Sequence, residues 1–400
     1  MFGSLARGTT IVRGFLRGED TISTLKAFRA MGVNACDDGE VIRIQGAGLH
    51  GLKEPVDVLD CGNSGTSMRL LTGMLAGQNF FSVLSGDQYL RNRPMGRVIE
   101  PLAGMGATIF GRAGGTRAPL AIQGRTLKGI SFSSPVASAQ VKSALLLAGL
   151  YADGETRVTE PSLSRDHSER MLRYFGADIE PLSNGARIRG GRILEGREVH
   201  VPGDISSAAF FIVAALLVPD SELLITGVGM NPTRTGIIDI LLRMGASIEQ
   251  LNFSETSGEP VADLLVRSSS LHGIEIGGEL VPRAIDEFPV ICVAASCAEG
   301  KTVLRDAREL RVKETDRIAA MAANLSKAGV SVVETEDGME ITGGGRLLGC
   351  TADSFGDHRI AMSMIMAGLV AKGETTVTDV GCISTSFPSF IELLERVCVR

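Results

Sequence analysis

Tryptophan is absent from the 400 residues, and all aromatics together make up only 4%. That leaves little material for stacking bases along a nucleic-acid groove, and a formal net charge of -6 argues against a polyanionic partner. No CxxC pair occurs among the seven cysteines, Cys36, Cys61, Cys292, Cys297, Cys350, Cys382 and Cys398. They read as reduced core thiols, not as a disulfide framework or a zinc site. Apolar runs such as Ala208 to Val218 are too short to span a bilayer. The opening MFGSLAR lacks the basic start and apolar stretch of a signal peptide. With 44% apolar and 22% charged residues, a soluble cytoplasmic protein is expected. Its length suggests two domains.

Glycine, by contrast, is abundant at 49 residues, and its placement exposes a repeat. An apolar helix, a tight turn, a Thr/Val strand, a loop, a second helix and a two-stranded hairpin recur in order. The first turn falls at Gly8, Gly77, Gly154, Asp220, Gly300 and Gly373. The second helix ends at Gly32, Gly106, Gly176, Gly245 and Gly329, as in GMGATI and RMGASI, with a glycine-free version inside LLERVCV. Glycine is the favoured helix terminator, and β-branched residues after it suit a strand. A period of roughly 70 residues exceeds that of ordinary solenoid repeats. Six such units therefore point to two α/β domains of three units each. The break is expected at Val201-Pro202-Gly203-Asp204, giving domains 1–201 and 202–400, because Pro and Gly interrupt both helix and strand.

The loop between the first strand and second helix carries cations in five units: Arg13 and Arg17; Arg91 and Arg93; Arg165; Arg234; Arg308, Arg311 and Lys313. Equivalent loops should emerge together, and helix starts add partial positive charge there. In an acidic protein this pattern reads as a focus for small anions. The segment GNSGTSMR (Gly62–Arg69) is a Gly/Ser turn entering an apolar helix, without the Lys-Ser/Thr of a nucleotide loop. RVKETDR (Arg311–Arg317) packs three cations and two carboxylates into seven residues, expected to be helical from Lys313. Asp286 could cap the apolar helix that follows it, and Asp357-His358-Arg359 opens the sixth core helix.

Taken in order, GNSGTSMR, RNRPMG, SAQVKSALLLAGL, RDHSERML, PGDISSAAF, MNPTRTG, IDEFPV, LRVKETDR, DHRIAMS and TSFPSF closely resemble 5-enolpyruvylshikimate-3-phosphate synthases of the bacterial group with SAQ and RDH motifs. The resemblance spans essentially the whole chain. It implies an enolpyruvyl transferase-like fold of six βαβαββ units, with the active site in the cleft between the domains. It further implies a transferase of the shikimate pathway, acting ahead of chorismate and the aromatic amino acids, and a monomer that needs no cofactor or metal. Phosphoenolpyruvate would contact Gly65, Arg93, Gln140, Arg317 and Arg359. Shikimate 3-phosphate would contact Ser138, Ala139, Gln140, Arg165, Asp286 and Lys313. Asp286 and Glu314 are the expected catalytic carboxylates. The related UDP-N-acetylglucosamine enolpyruvyl transferases usually carry a reactive Cys in the loop matching Gly86–Met95, where GDQYLRNRPM has none. A fold-retaining, non-catalytic binder is the other alternative.

Two positions depart from the family pattern. Thr385 stands where many members have Lys, although the SAQ/RDH group shares TSFP. The strand and PGDKSxSxR segment that open family members have no counterpart ahead of MFGSLARG. Met1 is accordingly expected to be an internal residue of a protein starting roughly 25–30 residues earlier, the span of one strand and a helix turn or two. The genomic sequence upstream should then hold an in-frame PGDKS-like segment. A native N-terminus sequenced at Met1 in a fully active enzyme would refute this.

Overall fold

In the computed structural model, which describes residues 1–398, the repeat is visible first in the turns. Gly8, Gly32, Gly106, Gly154, Gly176, Asp220, Gly245, Gly300, Gly329 and Gly373 all adopt positive φ, the region where a side chain is disfavoured. Gly77 does not: its φ is -94°. There the cause is space, since a Cβ would lie 2.5 Å from the Tyr151 side chain.

The chain divides into two units, Met1–Val201 with Thr256–Gly258, and Pro202–Glu255 with Glu259–Arg400. In the first unit three four-stranded sheets share one plan, a parallel edge strand beside an antiparallel trio. Strand Leu59–Asp60 runs parallel to Phe81–Ser85, which pairs with Arg117–Gln123 and through it with Thr108–Gly111. Ser131–Ser133 plays the same edge role for Glu155–Thr159. For Thr9–Arg13 the parallel edge is Glu198–His200, which comes after the third repeat in sequence. The third repeat thus hands its outgoing strand to the first, and the three close on themselves.

The second unit repeats the plan with less regularity. Glu275–Ile276 edges Lys301–Leu304 in a full sheet. Glu222–Gly229, Glu259–Arg267 and Ser247–Thr256 form three strands, with Gly203 and Val228 making a single parallel bridge where an edge strand would lie. Thr351–Asp353 and Thr376–Thr378 form a lone parallel pair.

Inside these sheets lie the apolar helices: Gly65–Ala76 and Ala139–Gly149 in the first unit, and Ile205–Leu217, Phe288–Cys297 and His358–Gly368 in the second. The corresponding helix of the first repeat is the single turn Phe2–Leu5. Helices apolar on every face must be covered on every face, and small residues let them approach. Gly73 shows how closely: a Cβ there would fall 2.0 Å from the Ala144 carbonyl oxygen. The scarce aromatics gather where the amphipathic helix Phe390–Val397 docks, with Phe211, Phe387 and Phe390 edge-on at 5.6–6.1 Å.

Two expectations are corrected. The cysteines are all unpaired, yet only Cys61 and Cys292 are buried; Cys36 and Cys398 are exposed and the others half-buried. Around Lys313 the chain is not α-helical: a 3-10 turn covers Arg308–Val312, and the helix begins at Arg317 with Asp316 as its cap. The Asp316 carboxylate captures the Ala319 N–H, so the helix starts where that bond can form. Among the described residues no helix is long and apolar enough to cross a membrane.

Overpacking the helix contact should cost about 1–3 kcal/mol in Gly73→Ala, measured by urea unfolding. Gly104→Ala, at a helical glycine whose added Cβ meets nothing within 4 Å, should stay within about 1 kcal/mol of wild type on the stabilising side.

Candidate active site

Within the first unit the Gly/Ser turn leads into the Gly65–Ala76 helix, whose cap Ser64 accepts the Ser67 N–H. One turn into that helix, Arg69 donates from Nη1 to Gln140 Oε1 at 2.6 Å and from Nη2 to the Pro94 carbonyl at 3.1 Å. Gln140 in turn donates to Thr66 Oγ1 at 2.8 Å. Arg93 donates to Asn63 Oδ1 at 2.6 Å, and Asn63 is held by Asp87 at 2.6 Å. Gly65 sits beneath both guanidinium groups. A Cβ there would lie 2.8 Å from Arg69 Nη1 and 3.1 Å from Arg93 Nη1, so any side chain would displace the two cations.

Ser138, Ala139 and Gln140 are consecutive at the start of the next core helix, with Ser138 as its cap. Arg165 stands half-buried in the loop ahead of helix His167–Tyr174.

In the second unit the starts of three helices meet around Arg317, which is 2% exposed. Its Nε donates to Asp357 Oδ2 at 2.8 Å, Nη2 to Glu314 Oε2 at 2.6 Å, and Nη1 to Asp286 Oδ1 at 3.3 Å. Burial alone would favour the neutral guanidine. The carboxylates of Asp357, Glu314 and Asp286 outweigh it and hold the charge above the usual arginine value. Asp286 also has Lys313 Nζ at 3.8 Å and Arg359 Nη2 at 4.0 Å, while Arg359 Nη1 donates to the Asp286 carbonyl at 3.2 Å. Three cations therefore face one carboxylate. Asp286 does not cap the Phe288–Cys297 helix, a position that Glu287 takes.

The structure thus joins Gly65, Arg93 and Gln140 in one cluster, and Asp286, Lys313, Glu314, Arg317 and Arg359 in another. Several other loop cations pair with acids outside these two clusters. Arg13 pairs with Glu198 and Arg17 with Asp37, each at 2.7 Å, Arg311 with Asp316 at 2.7 Å, and Arg308 with Glu336 at 3.3 Å. Arg234 lies 3.6 Å from the buried Glu287. Sequence reasoning did not single out Arg69, Asn63 or Asp357. Arg69 is four residues past Gly65, on the same helix face, and that spacing was the available signal. Asp357 offered only its position before a helix.

A closed ring of three repeats with buried core helices and arginines at the helix starts is the architecture of an enolpyruvyl transferase. The chain superimposes on the enolpyruvyl transferase NikO from Streptomyces tendae with a TM-score of 0.79 at 19% identity, covering 99% of this chain and 90% of that one, a likeness of fold alone. The family model for EPSP synthase (3-phosphoshikimate 1-carboxyvinyltransferase) matches residues 1–394. A solved structure of EPSP synthase from Acinetobacter baumannii is 50% identical, with a TM-score of 0.91 over 99% of this chain and 92% of that one. The 3-phosphoshikimate 1-carboxyvinyltransferase of Geotalea uraniireducens is 77% identical over 399 residues, and that of Geobacter metallireducens 73% over 400; each alignment takes in all of this chain and 93% of the relative. This chain belongs to the EPSP synthase family and is a transferase.

Burial lowers the His358 imidazole from 6.5 to about 4, with the Arg359 charge adding to the effect. Between those values the unfolded chain holds a proton that the folded chain does not, so His358 costs stability as pH falls from 6.5 toward 4. In His358→Gln the acid-side decline of the urea midpoint should be shallower by up to one proton over that window. An unchanged slope would mean the imidazole titrates normally.

Proposed function

We propose that these two arginine clusters carry out the transfer of the enolpyruvyl group from phosphoenolpyruvate to the 5-hydroxyl of shikimate 3-phosphate, with release of phosphate. Phosphoenolpyruvate is bound through Gly65, Arg93, Gln140, Arg317 and Arg359. Shikimate 3-phosphate is bound through Ser138, Ala139, Gln140, Arg165, Asp286 and Lys313. Both ligands are polyanions, and the guanidinium fork matches carboxylate and phosphate oxygens two at a time. Support comes from the groups already assembled: Gly65, bare of a side chain, lets two guanidinium groups lie close over its backbone, and Ala139 and Gln140 open a helix, where backbone N–H groups have no intrahelical partner.

The observation that carries the reading is Asp286 with Arg317, Lys313 and Arg359 all within 4.0 Å. Such a carboxylate, ringed by cations, is a poor base. Substrate carboxylate and phosphate compete for those same donors. As the cations turn to substrate, Asp286 regains basicity and takes the proton of the attacking hydroxyl. Glu314, paired to Arg317 at 2.6 Å before substrate enters, takes up a proton from water as Arg317 turns to the substrate, and delivers it to C3 of phosphoenolpyruvate while the hydroxyl oxygen bonds to C2. In the second step C3 returns its proton to Glu314, the C2–C3 double bond re-forms as the C2–O bond to phosphate breaks, and Asp286 passes the hydroxyl proton to the departing phosphate, whose charge the arginines stabilise. The enzyme acts as a monomer in the cytoplasm, a setting its unpaired cysteines favour.

Asp286→Asn keeps shape and removes basicity. Phosphate release with both substrates should show kcat lower by about 10²–10⁴-fold, the range for loss of a general base. Wild-type kcat in that variant would remove Asp286 from the proton transfer.

A further inference from the structure

Beneath Ser138 and Arg165, and outside the groups assigned to substrate, lies a fully buried ion cluster. Lys142, in the first turn of the Ala139–Gly149 helix, is 0% exposed. Its ammonium lies 3.1 Å from Glu160 Oε2 and 2.8 Å from Glu169 Oε1, and it donates to the Ser164 carbonyl at 3.3 Å. Three oxygen atoms therefore lie within 3.3 Å of the ammonium. Burial alone would discharge Lys142, but Glu169 and Glu160 outweigh it and hold the ammonium charged.

Glu160 links this charge to the two segments that carry the substrate contacts. Its Oε1 accepts the Ser138 N–H at 2.7 Å. Its Oε2 accepts the Ser164 N–H at 3.2 Å, and the Ser164 hydroxyl lies 2.7–2.8 Å from both oxygens. Ser138 caps the helix start that begins Ser138-Ala139-Gln140, and Ser164 immediately precedes Arg165. One carboxylate therefore holds the backbone of both segments, and Lys142 holds that carboxylate.

We infer that Lys142 and Glu160 are positioning residues for shikimate 3-phosphate: they fix the Ser138 helix start and the Ser164–Arg165 loop in the spacing that the phosphorylated hydroxy acid needs. The inference rests on the reading of Ser138 and Arg165 as its ligands. Packing alone does not call for these groups. Apolar side chains of similar volume in place of a buried ion pair are often neutral or stabilising. What apolar side chains cannot do is accept the Ser138 and Ser164 N–H groups in a set direction. Glu160 makes those bonds from a fixed point, so loop and helix cannot shift independently.

Three measurements separate a positioning role from a merely structural one: the Kd of shikimate 3-phosphate by calorimetry, the KM of phosphoenolpyruvate, and the melting temperature. Glu160→Gln should weaken shikimate 3-phosphate about tenfold, the equivalent of one hydrogen bond to a charged group, with the KM of phosphoenolpyruvate within twofold. The apolar variant Lys142→Met/Glu160→Leu/Glu169→Leu should melt no lower than Glu160→Gln yet bind shikimate 3-phosphate at least as weakly. Recovery of wild-type affinity in that variant, or an equal loss for both substrates in either, overturns the inference. If neither folds, Ser164→Ala removes only a hydroxyl and decides the matter: weakening confined to shikimate 3-phosphate supports the role, and unchanged affinity overturns it. Arg165→Ala tests the underlying reading separately. If it leaves shikimate 3-phosphate affinity intact, the assignment of the ligands fails first.

Discussion

A charged guanidinium held out of water is the constraint on which the second unit's buried ion cluster depends. Arg317 is 2% exposed and would be untenable alone. Asp357 caps the His358–Gly368 helix, Asp286 precedes the Phe288–Cys297 helix, and Glu314 lies just ahead of the helix that Arg317 itself begins. Each carboxylate reaches Arg317 only because the repeat brings these helix starts to one place. The ion cluster therefore reports the fold and depends on it. Arg359 and Lys313 face the same Asp286.

The first unit meets the same need by different means. Backbone closeness substitutes for burial: Gly65 leaves room for Arg69 and Arg93, and Gly73 lets two core helices touch through their backbones. Gln140 ties Arg69 to the neighbouring helix start. Beneath these groups a buried lysine and two glutamates anchor the second helix start to the loop before it. In both units, polar groups sit at helix starts where unpaired N–H groups and partial positive charge already exist, while helix interiors stay apolar. The division lets one packing scheme carry a stable core and a charged rim.

Much of this was legible because local chemistry speaks plainly at particular positions. Positive-φ glycines after helices announce themselves, and ten of the expected turn positions have that backbone. Core helix starts at Gly65 and His358 followed from a small or acidic cap before an apolar run. Errors came where two local explanations were equally good. Gly77 looked like one more terminator and is instead a glycine that makes room for Tyr151. Lys313 to Arg317 has helical charge spacing, but Asp316 delays the helix to Arg317. Arg13, Arg17 and Arg311 stood in the right loops and spend their charge on neighbouring acids. Cys36 carried no mark that it would be exposed.

By itself the sequence determined the repeat, its turns, the apolar helices and the order of the motif blocks, since each depends on residues a few positions apart. The tertiary structure alone decided which cations and carboxylates meet. Arg317 and Asp357 are 40 residues apart and Arg69 and Gln140 are 71, separations across which local pattern carries no distance information. Burial decides the rest: whether an arginine is a solvated surface charge or a poised ligand depends on what covers it, and the chain reveals that only once folded.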